Sequence, residues 1–234
     1  TASTVAKGSL NPVKKHFRRL CIAYTAAGLA IIVGIMGLLG YFEGLELLGS
    51  VRDGYIPMAP TTALSFIILG TILVVTISRS PSQFTLSVFC FTTAVVALFG
   101  GLEVLGHFVG ADLNFEEILV PSAGHLNGVP IARMSPATGA LFFASGLALL
   151  ALIFSSRRPR LTILSTGLAL FTLGTGLSFA VAYALGSPLL YGSGNMVPMA
   201  LTTSFAFLML AAGIIAVSGP EALGELSFSE NNKD

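Results

Sequence analysis

The side chains best suited to chemistry in this 234-residue chain are an acid and a histidine in an apolar stretch. Glu103 and His107 are four residues apart, so on a helix they would share one face. Glu46 lies in a closely similar stretch, and Arg133 stands directly before another apolar run. A carboxylate in hydrocarbon is costly unless it faces a partner, a cavity or the interface, so these residues predict a polar region at membrane depth.

Two interpretations of this region stay open. In the structural one, Glu46 and Glu103 lie at the interface and bond to nearby helix starts or to Arg52 and Arg133. In the functional one, the acids and His107 form a pocket that recognises a ligand or responds to pH, because histidine is the side chain that titrates nearest to neutral pH.

Metal binding and catalysis have less support in the sequence. A set made of Glu103, His107, Glu46 and His125 is loose for a metal site, and we assign no metal. The segment around Ser193, Tyr-Gly-Ser-Gly-Asn, resembles that of an intramembrane serine protease, but no histidine in the last apolar run could act as its base. We therefore expect a protein that is not an enzyme, and the residues do not identify a cofactor.

Composition indicates the elements that must position these groups. Only 10% of the residues are charged and the mean hydropathy is +0.86, whereas soluble domains have about 25% charged residues. Apolar runs long enough to cross a bilayer recur along the chain, without the alternation of a membrane barrel. We predict an all-α polytopic membrane protein with six transmembrane helices, at about 20–42, 58–78, 84–108, 134–155, 161–185 and 197–218.

Loop charge predicts the orientation. The first 19 residues carry five Lys or Arg, and two further basic turns, at Arg79 and at Arg157 to Arg160, fall on the same side as that arm. The opposite loops hold only Arg52 and Arg133. By the positive-inside rule both termini are cytoplasmic, as expected in a bacterial inner membrane. The partner of the basic face is then the lipid bilayer and not a nucleic acid.

Internal similarity predicts a repeat. The even spans open with similar segments at Met58–Ala63, Met134–Gly139 and Met199–Ser204. The stretch Gly44–Gly49 also matches Gly101–Gly106 at five of six positions. We predict three parallel helical hairpins, at about 20–78, 84–155 and 161–218, between a basic arm at 1–19 and a tail at 219–234. The middle hairpin carries the long outer loop, 107–133.

The repeated openings are typical of helix starts. Proline removes one unsatisfied N–H group and Ser or Thr can accept from another. Three such starts on one side would also aim three positive helix ends at one region, which suits an anion or a polar ligand group. The sequence leaves helix initiation and ligand binding both open. The candidate ligand residues are Glu46, Glu103, His107, Arg133, Thr61, Thr62, Thr138 and Thr202.

Through Met58–Ala63 and, more loosely, Met134–Gly139, the chain resembles the multi-helix membrane input regions at the N-termini of bacterial sensor kinases and diguanylate cyclases. The resemblance implies a sensory or regulatory domain that detects a small molecule, lipid or quinone and signals to a cytoplasmic output domain. Gly219-Pro220, however, predicts a helix end where a signalling helix would continue.

The sequence also favours an alternative from another class, a structural accessory subunit of a larger membrane complex, with homodimerisation as a further option. A small transporter is less favoured, because the charged signature of mitochondrial carriers is missing from the odd spans.

Overall fold

The computed structural model describes residues 2–42, 44–50, 55–78, 81–110, 125–126, 129–130, 133–155, 158–186 and 198–219. The helices are α1 (Ala2–Leu39), α2 (Glu46–Ser50), α3 (Pro60–Ser78), α4 (Gln83–Val109), α5 (Pro136–Phe154), α6 (Pro159–Ala184) and α7 (Leu201–Ser218). Two short strands, β1 (His125–Leu126) and β2 (Val129–Pro130), pair antiparallel between α4 and α5.

The prediction of an all-helical membrane protein is confirmed. In the part of the chain that the structure describes, six helices are long and apolar enough to cross a bilayer: α3, α4, α5, α7, residues 14–39 of α1 and residues 160–184 of α6. Their bounds differ from those of the predicted spans by at most about six residues, the largest difference being at the start of the first span. The basic arm continues α1, because this helix already begins at Ala2.

Three helices form the centre of the bundle and three lie around them. The inner helices α3, α5 and α7 each contact the other two. Of the outer helices, α1 packs on α3 and α7, and α6 packs on α7 and α5. The outer helix α4 packs closely on α5 but only slightly on α3. One side of the bundle, between α4 and α3, is therefore held together less tightly than the others.

The inner helices meet through three phenylalanines. The rings of Phe66, Phe142 and Phe207 contact one another with centroid separations of 4.7 to 4.9 Å, all in tilted or edge-on geometry. All three side chains are fully buried. Tilted aromatic pairs at this distance are favourable beyond their buried area, so the trio fixes how the inner helices sit against one another. Each phenylalanine follows a buried methionine by eight residues, namely Met58, Met134 and Met199.

Close helix crossings depend on glycines. A β-carbon at Gly34 would lie 2.7 Å from the carbonyl oxygen of Ala63, and one at Gly100 would overlap that of Gly139. At Gly176 the nearest atom, the Ser204 carbonyl oxygen, would be 3.3 Å away. Each outer helix thus approaches the first turns of its following inner helix through a residue without a side chain, which is a common device for helix packing in membranes.

Gly44–Gly49 and Gly101–Gly106 match in sequence but do not occupy equivalent positions in the fold. Because α1 ends at Leu39, the first segment forms a turn and the short helix α2, whereas the second lies inside α4. Gly44 has a φ of +81°, a backbone conformation that glycine adopts easily. Gly34 is the residue of α1 whose contacts correspond to those of Gly100 in α4 and Gly176 in α6. Gly44 has no such contact.

The crossing glycines can be tested by adding one methyl group. Gly100→Ala should destabilise the protein by about 1–3 kcal/mol, the usual effect of overpacking a close contact. Gly174→Ala is the matched control, since a β-carbon there meets no atom within 4 Å. Reversible unfolding in mixed micelles measures both. Equal stabilities of the two variants would contradict the close α4–α5 crossing.

Candidate functional site

The first turns of the three inner helices meet around one small polar cavity, which we call the junction. It has a volume of about 10 Å³ and is lined by side chains from the starts of α3, α5 and α7. Such a volume holds one water-sized particle. The lining includes Ala59, Thr62, Arg133, Ser135, Thr138, Ala200 and Thr203.

The three helix starts are capped unequally. In α5, the Ser135 hydroxyl accepts from the Thr138 N–H at 3.2 Å and lies 2.8 Å from the Thr138 hydroxyl. The corresponding residues before α3 and α7 are Ala59 and Ala200, whose side chains have no acceptor. The first N–H groups of a helix have no partner within the helix, so α3 and α7 lack the side-chain cap that α5 has.

The junction also holds two buried threonines, one from α3 and one from α7. Thr62 and Thr203 are 1% and 2% exposed and both line the cavity. Among the described residues, Thr93 on α4 is the buried side chain whose oxygen has no hydrogen-bond partner. Thr62 and Thr203 both follow the cavity-lining Ala by three residues, as Thr138 follows Ser135, so the three threonines occupy equivalent places in their helices.

Of the predicted threonines, Thr62 and Thr138 line the junction and two others do not. Thr202 donates its hydroxyl to the Gly49 carbonyl oxygen at 3.2 Å, which also accepts from the Met58 N–H. Thr202 thus ties α2 to the start of α7. Its neighbour Thr203 is the residue that faces the cavity, a position that the sequence analysis missed although the spacing from Met199 indicates it. Thr61 is half-buried and is not among the lining residues.

The predicted acid Glu103 is buried, with 4% of its surface exposed. Glu103 lies at the α4–α5 crossing, where a β-carbon added to Gly139 would be 3.1 Å from the Glu103 β-carbon. Gly139 is one residue beyond Thr138, so Glu103 lies beside the start of α5. Arg133, directly before that start, is half-buried and lines the junction. The structure therefore places both predicted charges next to the same helix start.

His107, another predicted site residue, lies outside this cluster. His107 is half-buried near the end of α4, and its ring contacts Phe108 edge-on with centroids 5.8 Å apart. The side chains of Glu46 and His125 lie outside the described residues. Among the residues that are described, no group of three His, Cys, Asp or Glu side chains is close enough to hold a metal ion.

Two tyrosines support the helix starts from outside. The Tyr41 hydroxyl donates to the Met58 carbonyl oxygen, and the Tyr183 hydroxyl donates to that of Met199, both at 2.9 Å. Tyr183 also contacts the ring of Tyr55, at a centroid distance of 5.2 Å. The sequence analysis missed this role, although the spacings of 17 and 16 residues from tyrosine to methionine are a weak signal for it.

A second, larger space opens on the outer side of the α4–α5 crossing. This groove has a volume of about 580 Å³ and is lined only by apolar residues and glycine. It lies beside the crossing that buries Glu103, because Leu102 and Val104 line the groove. The remaining lining residues are Leu98, Gly101, Leu105, Ala140, Phe143, Ala144, Leu147, Leu168 and Phe171.

Fold and site together define a polytopic membrane protein of six candidate spans with a polar junction where its inner helices begin. Comparison with protein-family models, curated proteins and solved structures finds no match.

The cap at Ser135 can be compared with an identical cap elsewhere in the chain. Ser82 accepts from the Thr85 N–H at 3.2 Å, but it is exposed. Ser135→Ala should lower the free energy of unfolding by about 1 kcal/mol or more, and Ser82→Ala by about 0.5 kcal/mol, because water can replace only the exposed cap. Unfolding in mixed micelles measures the difference, and a larger loss for Ser82→Ala would contradict the dry environment of the junction.

Proposed function

We propose that this protein is a membrane sensory or regulatory domain that reads a lipid-like molecule or quinone and passes the signal on through helix movement. The observation that carries the proposal is the buried Glu103 at the α4–α5 crossing. An ionisable residue inside a membrane-spanning helix is costly to keep and marks a functional site by default.

The crossing lies between two spaces of different character. On its outer side is the apolar groove of about 580 Å³, large enough for an acyl chain or a quinone ring. On its inner side is the start of α5, which lines the junction. The junction itself is too small for a quinone, so the groove is the place where such a molecule binds. A molecule in the groove acts on the junction through the position of α4 against α5.

The packing of α4 supports movement at this place. Because α4 contacts α3 only slightly, its position depends mainly on α5. A small shift or rotation of one helix past another, of about 1–2 Å, is a common form of signalling movement. Glu103 and Arg133 are then the charged residues whose surroundings change when α4 moves. The output is a cytoplasmic partner or output domain.

The proposed architecture is three parallel helical hairpins, with both termini in the cytoplasm of a bacterial cell. Its support is the equivalence of contacts at Phe66, Phe142 and Phe207 and at Gly34, Gly100 and Gly176. The charge asymmetry of the loops supports the orientation. The junction then lies on the periplasmic side.

Distance measurements between spin labels test the sensory function. In a Cys21→Ser/Cys90→Ser background, labels at Gln83 of α4 and Arg160 of α6 report on the helix ends away from the junction. Adding decyl-ubiquinone to the protein in nanodiscs should shift the distance by about 1–2 Å. Glu103→Gln should remove or reduce the shift while the protein still inserts. Identical distances with and without quinone would contradict the sensory function.

A structural accessory subunit is the second candidate, and the outer surface of α4 favours it. Eight large apolar side chains follow one another there at alternating spacings of four and three residues, all between 43% and 80% exposed. This spacing suits packing against a helix of a partner or of a second copy. The eight are Phe84, Val88, Phe91, Val95, Leu98, Leu102, Leu105 and Val109.

Native mass measurement in mild detergent tests this second function. An accessory subunit should be isolated in a complex of fixed stoichiometry, which Phe91→Ala/Leu98→Ala weakens. Leu177→Ala on the exposed side of α6 is the control and should leave the complex intact. A monomer under all conditions would argue against the accessory role and against a homodimer.

A further inference from the structure

We infer that the groove binds one acyl chain of a bilayer phospholipid, which lies in the gap between α4 and α6 with α5 as its floor. The inference rests on the proposed function for the role of the groove, and it deepens that function because it names the lipid chain, and not the quinone ring, as the occupant. The binding itself does not depend on whether a signal follows.

The shape of the groove suits an extended chain. The outer helices α4 and α6 each pack on α5, and all three helices line the groove. Its lining runs from Leu98 to Leu105 on α4 and from Ala140 to Leu147 on α5, which is about 10 Å along each helix. The groove is therefore elongated along helices that can cross the bilayer, in the direction in which lipid chains lie.

The groove lies within one leaflet of the bilayer. The helix α4 has 27 residues, so its centre is close to Val96, and the α4 residues that line the groove all come after that point. The start of α5 lies at the same end of the bundle. Since the hydrocarbon core is about 30 Å thick, a groove of this length covers about two-thirds of the leaflet on the side of the junction. A chain that enters from the headgroups of this leaflet can fill it.

The groove is continuous with the surface that faces the lipid. Its floor is low because Gly101, Ala140 and Ala144 have small side chains or none. A β-carbon on Gly101 would have the ring of Phe143 as its nearest neighbour, at 3.3 Å. The large side chains on the rim are 41% to 62% exposed, so the groove opens to the acyl chains of the bilayer. These rim residues are Leu98, Leu102, Leu105, Phe143 and Phe171.

The chemistry of the lining favours a hydrocarbon chain over a quinone ring. All the described lining residues are apolar or glycine. Behind them, the buried hydroxyls of Ser145 and Thr172 lie 3.3 Å apart and bond to each other. The oxygens of a quinone would lose their hydrogen bonds to water in this groove, which is costly, whereas an acyl chain needs no polar partner.

Fluorescence quenching by a brominated lipid tests the acyl-chain site. The chain has no tryptophan, so Phe171→Trp places one reporter in the groove. Phe205→Trp, at an exposed position of α7, is the matched control. Each variant is titrated in dodecyl maltoside with dibromostearoyl phosphatidylcholine. Half-maximal quenching should need about tenfold less lipid for Phe171→Trp, because atoms of three helices surround a chain in the groove.

Filling the groove locates the effect. Gly101→Leu and Ala140→Leu, each combined with Phe171→Trp, should raise the half-maximal lipid concentration to that of the control. The two substitutions lie on different helices, so the second keeps the test decisive where the first destabilises the fold. Gly28→Leu on α1, where a β-carbon meets no atom within 4 Å, should leave the concentration unchanged.

Three results would overturn the acyl-chain site. The first is quenching of Phe171→Trp that needs as much lipid as Phe205→Trp, as expected for ordinary boundary lipid, or more, as expected where a second copy of the chain covers the groove. The second is tight quenching that persists in both filled variants. The third is quenching of Phe171→Trp by decyl-ubiquinone at lower concentration than by the lipid, which would make the quinone the occupant.

The spin-label distances separate this site from the sensory function. Tight quenching by the lipid without any ligand-dependent change in distance would support the acyl-chain site and contradict the sensory function. A quinone-dependent change in distance, together with equal quenching of Phe171→Trp and Phe205→Trp, would support the sensory function and contradict the acyl-chain site.

Discussion

The backbone N–H groups at the starts of the inner helices are the constraint on which this structure depends. Inside a membrane protein such groups must find partners within the protein, because no bulk water is available. Here the three helix starts lie around one cavity, so their N–H groups share the same surroundings. Ser135 accepts from one N–H group at the α5 start, and the starts of α3 and α7 lie around the same cavity with Thr62 and Thr203. The rest of the bundle keeps these starts in contact.

Two kinds of contact hold the starts together. Below the junction, the mutual packing of Phe66, Phe142 and Phe207 sets the separation of the inner helices. Around it, glycines let the outer helices approach closely, and Gly100 does so against Gly139. At this one crossing the bundle also buries an acid, and next to it an apolar groove is open. Small residues, a buried acid and the groove thus coincide at the α4–α5 pair, which is why we propose the sensory function there.

The sequence predicted the helical membrane fold and its spans well, because apolar runs of this length have few other interpretations. It also indicated that Thr62, Thr138 and Arg133 belong to a polar region. It could not distinguish Thr202 from Thr203, because adjacent residues on a helix point in directions about 100° apart and the helix register decides which one faces the centre. Sequence similarity also suggested that Gly44–Gly49 is the counterpart of Gly101–Gly106. Local similarity does not reveal that α1 ends at Leu39, before the first of these segments. The groove arises from three helices at once and has no local signature.

The most direct measurement is an experimental density map of this protein in a lipid bilayer. The starts of α3, α5 and α7 should meet at the junction, with the Ser135 hydroxyl accepting from the Thr138 N–H and Glu103 buried beside Gly139. A map in which the three starts lie apart, or in which Glu103 faces the lipid, would contradict this structure.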